Sequence, residues 1–172
     1  MIYHYKGKEP TIHETAFIAE DVVLTGDVTI EEEASIWFKT VIRGDVSPTY
    51  IGKRTNIQDQ SMLHQSPGLP LTVEDDVTIG HQVLLHSAHI KQGALIGMGS
   101  IILDGAVVEE GAFVGAGSLV PPNKVIPAGT LAFGRPAVVV RELTEADRDE
   151  MRRIRTEYVD KGQFYKEQQS RL

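Results

Sequence analysis

The residues that could do chemistry in this 172-residue chain are concentrated between positions 58 and 86. Three histidines lie there, His64, His81 and His86, among carboxylate and amide side chains. The chain contains no cysteine, so a bound metal ion would have to be held by histidine nitrogens and by oxygen atoms. The pattern therefore suggests a metal site, provided that the fold brings these histidines together.

Aliphatic residues recur at every sixth position over most of the chain. They are Ile12, Ile18, Leu24, Ile30, Ile36, Ile42, Ile51, Ile57, Leu63, Val73, Ile79, Leu85, Ile90, Ile96, Ile102, Val108, Val114, Val120 and Ile126. A helix cannot keep such residues on one face, because each step of six rotates the side chain by about 120°. The repeat predicts a solenoid of short strands, with three sides per coil and the aliphatic side chains pointing inwards.

The repeat is interrupted at two proline-containing segments, residues 45–50 and 65–71, which we expect to protrude as loops beside the histidine stretch. After Ile126 it fades towards the sequence GRPA at 134–137, where the proline ends the coils. A helical pattern with a capping box begins at Thr144, and Gly162 is predicted to interrupt it, leaving a polar tail or frayed turn. We expect one domain over 1–172, with coils at 10–137 and a helical segment at 142–170 packed on the solenoid.

Every third hexapeptide should lie on the same side of the coils. His64 and His86 both directly follow a repeat position on one side, as does Arg43, so these residues are expected to stack about 4.8 Å apart on consecutive coils. His81 belongs to the preceding side, where it should stack on Asp59. If all three histidines bind one metal ion, His81 must come from another copy of the chain, most simply in a trimer.

The composition excludes some classes of partner. The net charge is −7 and the isoelectric point is about 5.3, which argues against a nucleic-acid-binding surface. No apolar stretch approaches 18 residues, and the first residues show no basic stretch followed by an apolar run. We therefore expect a cytoplasmic protein without nucleic-acid or membrane partners.

The repeat and four further motifs together resemble the gamma-class carbonic anhydrase family. The motifs are RGD at 43–45, NIQD at 56–59, the single His64, and HQVLLH at 81–86. The resemblance implies an all-β fold, a left-handed parallel beta-helix (a hexapeptide-repeat solenoid) with a C-terminal α-helix. It also implies a homotrimer in which His64 and His86 of one subunit and His81 of its neighbour bind the metal ion.

The same resemblance implies hydration of carbon dioxide to bicarbonate by a hydroxide bound to zinc, with ferrous iron or cobalt as possible substitutes. Gln58 would orient the hydroxide or polarise the substrate, and Asp59 would add a carboxylate. Arg43 and Asp45 would form an ion pair, either across the subunit interface or as a staple for a loop. Further candidate site residues are Asn56 and Tyr158, for which side-chain stacking between coils and helix packing are the structural alternatives.

One departure from the family pattern bears on activity. Val46 follows Asp45, and residues 65–70 contain no carboxylate that could pass protons to buffer. We therefore expect a site competent for metal binding but with low hydratase activity. The sequence leaves open an acyl-CoA-dependent acyltransferase, a metal-dependent thioesterase, and a metal-binding assembly protein without catalytic activity.

Overall fold

The computed structural model describes residues 1–169, which form a β-helix followed by one long helix. The strands are β1 (Ile2–Tyr3), β2 (Thr11–Ile12), β3 (Phe17–Ile18), β4 (Val23–Ile30), β5 (Ser35–Ile36), β6 (Val41–Ile51), β7 (Asn56–Ile57), β8 (Met62–His64), β9 (Leu71–Val73), β10 (Thr78–Ile79), β11 (Leu84–His86), β12 (His89–Ile90), β13 (Leu95–Ile96), β14 (Ile101–Ile102), β15 (Val107–Val108), β16 (Phe113–Val114), β17 (Leu119–Val120), β18 (Val125–Ile126), β19 (Thr130–Gly134) and β20 (Ala137–Glu142). The helix is α1 (Glu145–Gln169).

The six-residue repeat determines the core, as the sequence predicted. Strands of successive coils pair in parallel, and the repeat positions stand opposite one another: Ile42 pairs with Leu63, which pairs with Leu85. All three side chains are fully buried. Each coil thus contributes one aliphatic residue per side to a continuous apolar column, and the residues that follow it are held in matching positions.

The corners of the coils use left-handed backbone. Gln60 and Gln82 occupy the same corner of successive coils, with φ angles of 61° and 58°. The N–H of Gln82 donates to the carbonyl oxygen of Asp59 at 2.8 Å, which stacks the two corners. Since a left-handed residue costs energy for a side chain with a Cβ, these corners require the coil-to-coil hydrogen bonds that hold them.

The two interruptions of the repeat have different structures. Residues 65–70 form the expected excursion, closed by an antiparallel bridge between Ser66 and Leu69, and Leu71 already belongs to β9. Residues 45–50, however, are not a loop, because they lie within β6. Its register against β4 passes from Gly44 opposite Gly26 to Thr49 opposite Val28, so that Asp27 alone faces residues 45–48. The extra residues are absorbed as a bulge, which keeps the backbone in the sheet.

The end of the solenoid contains a hairpin that the repeat did not predict. β19 continues the parallel stack by pairing with β16, and β20 then returns antiparallel to β19 across the GRPA segment. The antiparallel strand β20 therefore stands at one end of the sheet that β19 extends.

Helix α1 begins as predicted but is continuous where an interruption was predicted. The Thr144 N–H donates to Asp147 Oδ2 at 2.7 Å, and the Asp147 N–H donates to Thr144 Oγ1 at 3.2 Å, which forms the capping box. The expectation that Gly162 interrupts the helix is wrong, because α1 runs through this residue to Gln169. Gly162 is buried against the coils, where a Cβ would lie 3.1 Å from Ser35 Cβ. The glycine thus permits close approach of the helix.

An aromatic cluster fixes the helix on the coils. The Trp37 ring lies 5.2 Å from the rings of both Phe17 and Tyr158, and 5.5 Å from that of Tyr165, all measured between centroids. Edge-to-face contacts of this kind add specific geometry to apolar burial. They hold Tyr158 over the side of the solenoid that carries β7 and β10. No helix within residues 1–169 combines the length and the apolar character needed to cross a membrane.

Candidate metal centre

His64 and His86 are brought side by side by the pairing of β8 with β11. Their Cα atoms are register partners, and His64 Nδ1 lies 3.2 Å from His86 Nε2. Two nitrogen ligands bound at about 2.0–2.1 Å to one tetrahedral zinc ion are about 3.3 Å apart. The two inner nitrogens therefore have the spacing that a shared metal ion requires.

Each of these imidazoles directs its other nitrogen at a carboxylate. His64 Nε2 lies 3.1 Å from Asp45 Oδ1, and His86 Nδ1 contacts Asp104 Oδ1. A carboxylate accepts a hydrogen bond from the ring N–H, so the proton stays on that nitrogen and the opposite nitrogen keeps its lone pair. With both rings in this tautomer, two lone pairs face each other at 3.2 Å, an arrangement that a cation between them would stabilise. These residues fit a metal ion on the chemistry of the donor set.

Asp104 is a site residue that the sequence analysis missed. It lies two positions after Ile102, which pairs with Leu85 on the preceding coil. Ser66 donates from Oγ to Asp104 Oδ2 at 2.7 Å, and this hydrogen bond, with that of His86, lowers the pKa of Asp104. Counting the repeat one coil further places Leu103 opposite His86 and Asp104 one residue later, and no recognised motif pointed to Asp104.

Arg43 and Asp45 form an ion pair within one chain. Arg43 donates from its guanidinium to Asp45 Oδ2 at 3.1 Å, while Oδ1 of the same carboxylate faces His64. The Asp45 side chain is only 17% exposed, so both contacts are partly shielded from water. The bulge in β6 thus brings Asp45 back to the first histidine, and Arg43 stabilises its negative charge.

His81 lies on a different side of the coils, away from this pair. His81 Nδ1 lies 2.7 Å from Asp59 Oδ2, in agreement with the predicted stacking, and Nε2 lies 3.5 Å from the hydroxyl of Tyr158. Burial, followed by the charge of Asp59, raises the pKa of Tyr158, which keeps its hydroxyl protonated. Within residues 1–169, a single chain contains no group of three or more His, Cys, Asp or Glu side chains that could hold a metal ion.

The amides Gln58 and Asn56 are buried next to His81. Gln58 donates from Nε2 to Asn56 Oδ1 at 3.0 Å, and Asn56 donates from Nδ2 to Thr78 Oγ1 at 3.0 Å on the following coil. Gln58 lines the same cavity as His81 and Tyr158. The hydrogen bond from Asn56 to the following coil is what a purely structural role in stacking the coils would require. Gln58 differs, because it also reaches the cavity.

The candidate residues therefore divide into two groups on different sides of one chain. The strand-side half-site consists of Arg43, Asp45, His64, His86 and Asp104. The helix-side half-site consists of Asn56, Gln58, Asp59, His81 and Tyr158. Each half-site contains histidine nitrogens oriented by carboxylates. Within residues 1–169, neither half-site brings three or more His, Cys, Asp or Glu side chains into an arrangement that could hold a metal ion.

Comparison with known proteins finds relatives that are named as a carbonic anhydrase and relatives that are named as transferases. No protein-family model matches the chain. A protein named carbonic anhydrase from Geobacillus kaustophilus is 68% identical over 166 residues, covering 96% of this chain and 91% of that protein. The protein named uncharacterized transferase YtoA from Bacillus subtilis is 69% identical over 166 residues, covering 96% and 97%. The crystal structure of a hexapeptide transferase family protein from Anaplasma phagocytophilum superposes with a TM-score of 0.93 at 39% identity, covering 96% and 98%.

The contact between Asp104 and His86 gives a test of metal binding. We expect Asp104→Asn to weaken zinc binding by about 10- to 100-fold, because an amide can donate to Nδ1 and move the ring proton to Nε2. Zinc affinity would be measured by competition with a chromophoric chelator. Asp149→Asn, on the exposed face of α1, is the matched control and should bind zinc as the unmodified protein does. Equal affinities for both variants would contradict the role of Asp104.

Proposed function

Because the chain belongs to the gamma-class carbonic anhydrase family, whose left-handed β-helix it shares, we propose that it catalyses the reversible hydration of carbon dioxide. The reaction would take place at a metal ion held by His64 and His86 of one subunit and His81 of a neighbouring subunit. Zinc suits three imidazole ligands, and ferrous iron or cobalt could replace it.

The observation that carries this proposal is the pair of inner nitrogens 3.2 Å apart on His64 and His86. With both outer nitrogens directed at carboxylates, the pair is arranged to receive a cation. Two ligands from one chain would leave two of the four coordination positions of a tetrahedral ion unfilled. A third histidine and a water molecule would complete the set expected of a catalytic zinc site.

A ring of identical subunits would supply the third histidine. In cyclic symmetry, one side of each subunit faces a different side of the next, so the strand-side half-site of one copy can meet the helix-side half-site of its neighbour. A homotrimer is the simplest such ring for a three-sided column. It would form three identical sites, each composed of both half-sites.

Within such a site, each group has a separate task. Zinc held by the three imidazoles would supply hydroxide near neutral pH, a property for which carbonic anhydrases are the standard example. Asp45 and Asp104 hold the protons on the outer nitrogens of His64 and His86. Gln58 uses Nε2 as a donor to Asn56, so its Oε1 can accept a hydrogen bond from the attacking hydroxyl.

Proton release limits the expected rate. The excursion at 65–70 carries no carboxylate, and the nearby Asp104 is engaged by Ser66 and His86. A proton leaving the site must therefore pass through water or through buffer that reaches the site directly. We propose that hydration is slow and depends on the concentration of buffer.

Acyl transfer is the second candidate function, because a relative that is 69% identical carries a transferase name. An acyltransferase of this fold needs one histidine as a base and gives no reason for carboxylate-oriented histidines in two half-sites. A metal-binding protein without catalytic activity would retain the histidines but would not need a cavity beside Gln58. Both alternatives are distinguished from hydration by direct assay.

The first test is carbon dioxide hydration measured by stopped flow after the metal content per subunit has been determined. We expect zinc-loaded protein to hydrate carbon dioxide and to lose this activity on chelation, because the nucleophile depends on the metal ion. His64→Ala should lose both metal and activity, whereas His13→Ala should retain both, because His13 belongs to neither half-site and contacts Thr15. Stoichiometric zinc without hydration would contradict the proposal.

The shared site is tested by mixing two inactive variants. His81→Ala and His64→Ala subunits each form rings without a complete site, so neither alone should bind zinc tightly. After denaturation and refolding together in equal amounts, about a quarter of the interfaces should combine an intact His64 with an intact His81. We expect about that fraction of the zinc bound by the unmodified protein, measured by metal analysis after gel filtration. No recovery at any mixing ratio would count against the interface.

The role of Gln58 is tested separately from metal binding. We expect Gln58→Ala to lower kcat for hydration by about 10- to 100-fold at unchanged zinc content, because the hydroxide loses an orienting partner. Gln60→Ala is the matched control, since Gln60 lies at the adjacent corner and bonds only to Gln82 among its side-chain partners. Equal kcat values for both variants would remove the orienting role.

A further inference from the structure

A cavity of about 300 Å³ lies between α1 and the coils, beside the helix-side half-site. One end is polar and includes Gln58, His81 and Tyr158. The remaining wall is mainly apolar, with contributions from Leu95, Met98, Phe113 and Ile154. The cavity thus continues from the proposed reactive end into an apolar space between helix and solenoid.

The cavity is much larger than carbon dioxide requires. A water molecule occupies about 30 Å³ of liquid, so the cavity has room for roughly ten non-hydrogen atoms. Carbon dioxide has three atoms and would fill only the polar end. A volume of 300 Å³ instead lies at the lower end of the range for pockets that bind organic ligands.

The charges at the rim indicate what kind of organic ligand fits. Among the described residues, Arg153 is the only Arg or Lys in the cavity wall, and its guanidinium already forms hydrogen bonds of 2.7–2.8 Å with Glu150 and Glu157. It has no unmatched charge to offer a carboxylate. The polar end offers an amide, an imidazole and a hydroxyl, which suit a neutral carbonyl group. The matching ligand is an uncharged acyl compound with an apolar chain.

We propose that this cavity binds the acyl group of an ester or thioester, and that the protein hydrolyses such compounds at the same site. The proposal rests on the proposed function, because it uses the same reactive end. In the net reaction, the oxygen of water bonds to the carbonyl carbon, the bond from that carbon to sulfur or oxygen breaks, and the leaving group takes one proton. The products are a carboxylic acid and a thiol or alcohol.

Binding of unreactive amides tests the cavity without relying on catalysis. The probes are butanamide, hexanamide and octanamide, added to the zinc-loaded protein and, separately, to the metal-free protein in a calorimeter. Each buried methylene should tighten binding about three- to fourfold until the cavity is full. Hexanamide should therefore bind about tenfold more tightly than butanamide. Affinity that does not change with chain length would overturn the proposal.

Two variants separate the cavity from general apolar binding. Met98→Trp replaces a flexible side chain at the rim by a bulky indole ring. This ring should obstruct the cavity and weaken hexanamide binding by at least tenfold. Val125→Trp, at a position that is also exposed but lies outside the cavity, should bind hexanamide as the unmodified protein does. An equal loss in both variants, or no loss in either, would contradict the assignment.

Hydrolysis of p-nitrophenyl hexanoate and butanoate completes the test. The zinc-loaded protein should hydrolyse the hexanoate with a kcat/KM about tenfold higher than the butanoate, and Met98→Trp should remove this preference. Chain-dependent amide binding without ester hydrolysis would overturn the hydrolytic part of the proposal. Failure of carbon dioxide hydration in the stopped-flow assay would contradict the proposed function independently, since amide binding requires no turnover.

Discussion

The hydrogen-bonded register between successive coils is the constraint on which the rest of the structure depends. Each strand pairs in parallel with the strand one coil away, so a residue occupies the same place relative to the core in every coil. The pairing of Leu63 with Leu85 is what sets His64 opposite His86. A shift of one residue would exchange inward and outward side chains and separate the histidines.

Carboxylates convert this geometric arrangement into a chemical one. Stacking alone would bring two imidazoles together without deciding which nitrogens face each other. Asp45 and Asp104 reach the outer nitrogens from opposite sides, one from the bulge in β6 and the other from the next coil. The bulge therefore has a positional purpose, because a regular coil would have carried Asp45 along a different path.

Helix α1 supplies the second set of constraints, and these concern space more than charge. Gly162 lets the helix approach Ser35, and the aromatic cluster around Trp37 holds Tyr158 beside His81. The helix also forms one wall of the cavity next to Gln58. The same solenoid, which relatives named as transferases share, can thus support reactions other than acyl transfer. The side chains at the half-sites and the packing of the helix determine which reaction a protein of this fold catalyses.

The sequence by itself determined the parts of the protein that follow from counting residues along a repeat. The coils, the stacking of His64 on His86 and the proximity of His81 to Asp59 were all predictable, because a parallel coil advances by a fixed number of residues. Tertiary structure decided the contacts of Asp104, the bulge at residues 45–48, the path of α1 past Gly162 and the cavity beneath it. These features depend on side-chain direction and on packing between segments distant in sequence, which a local pattern does not specify.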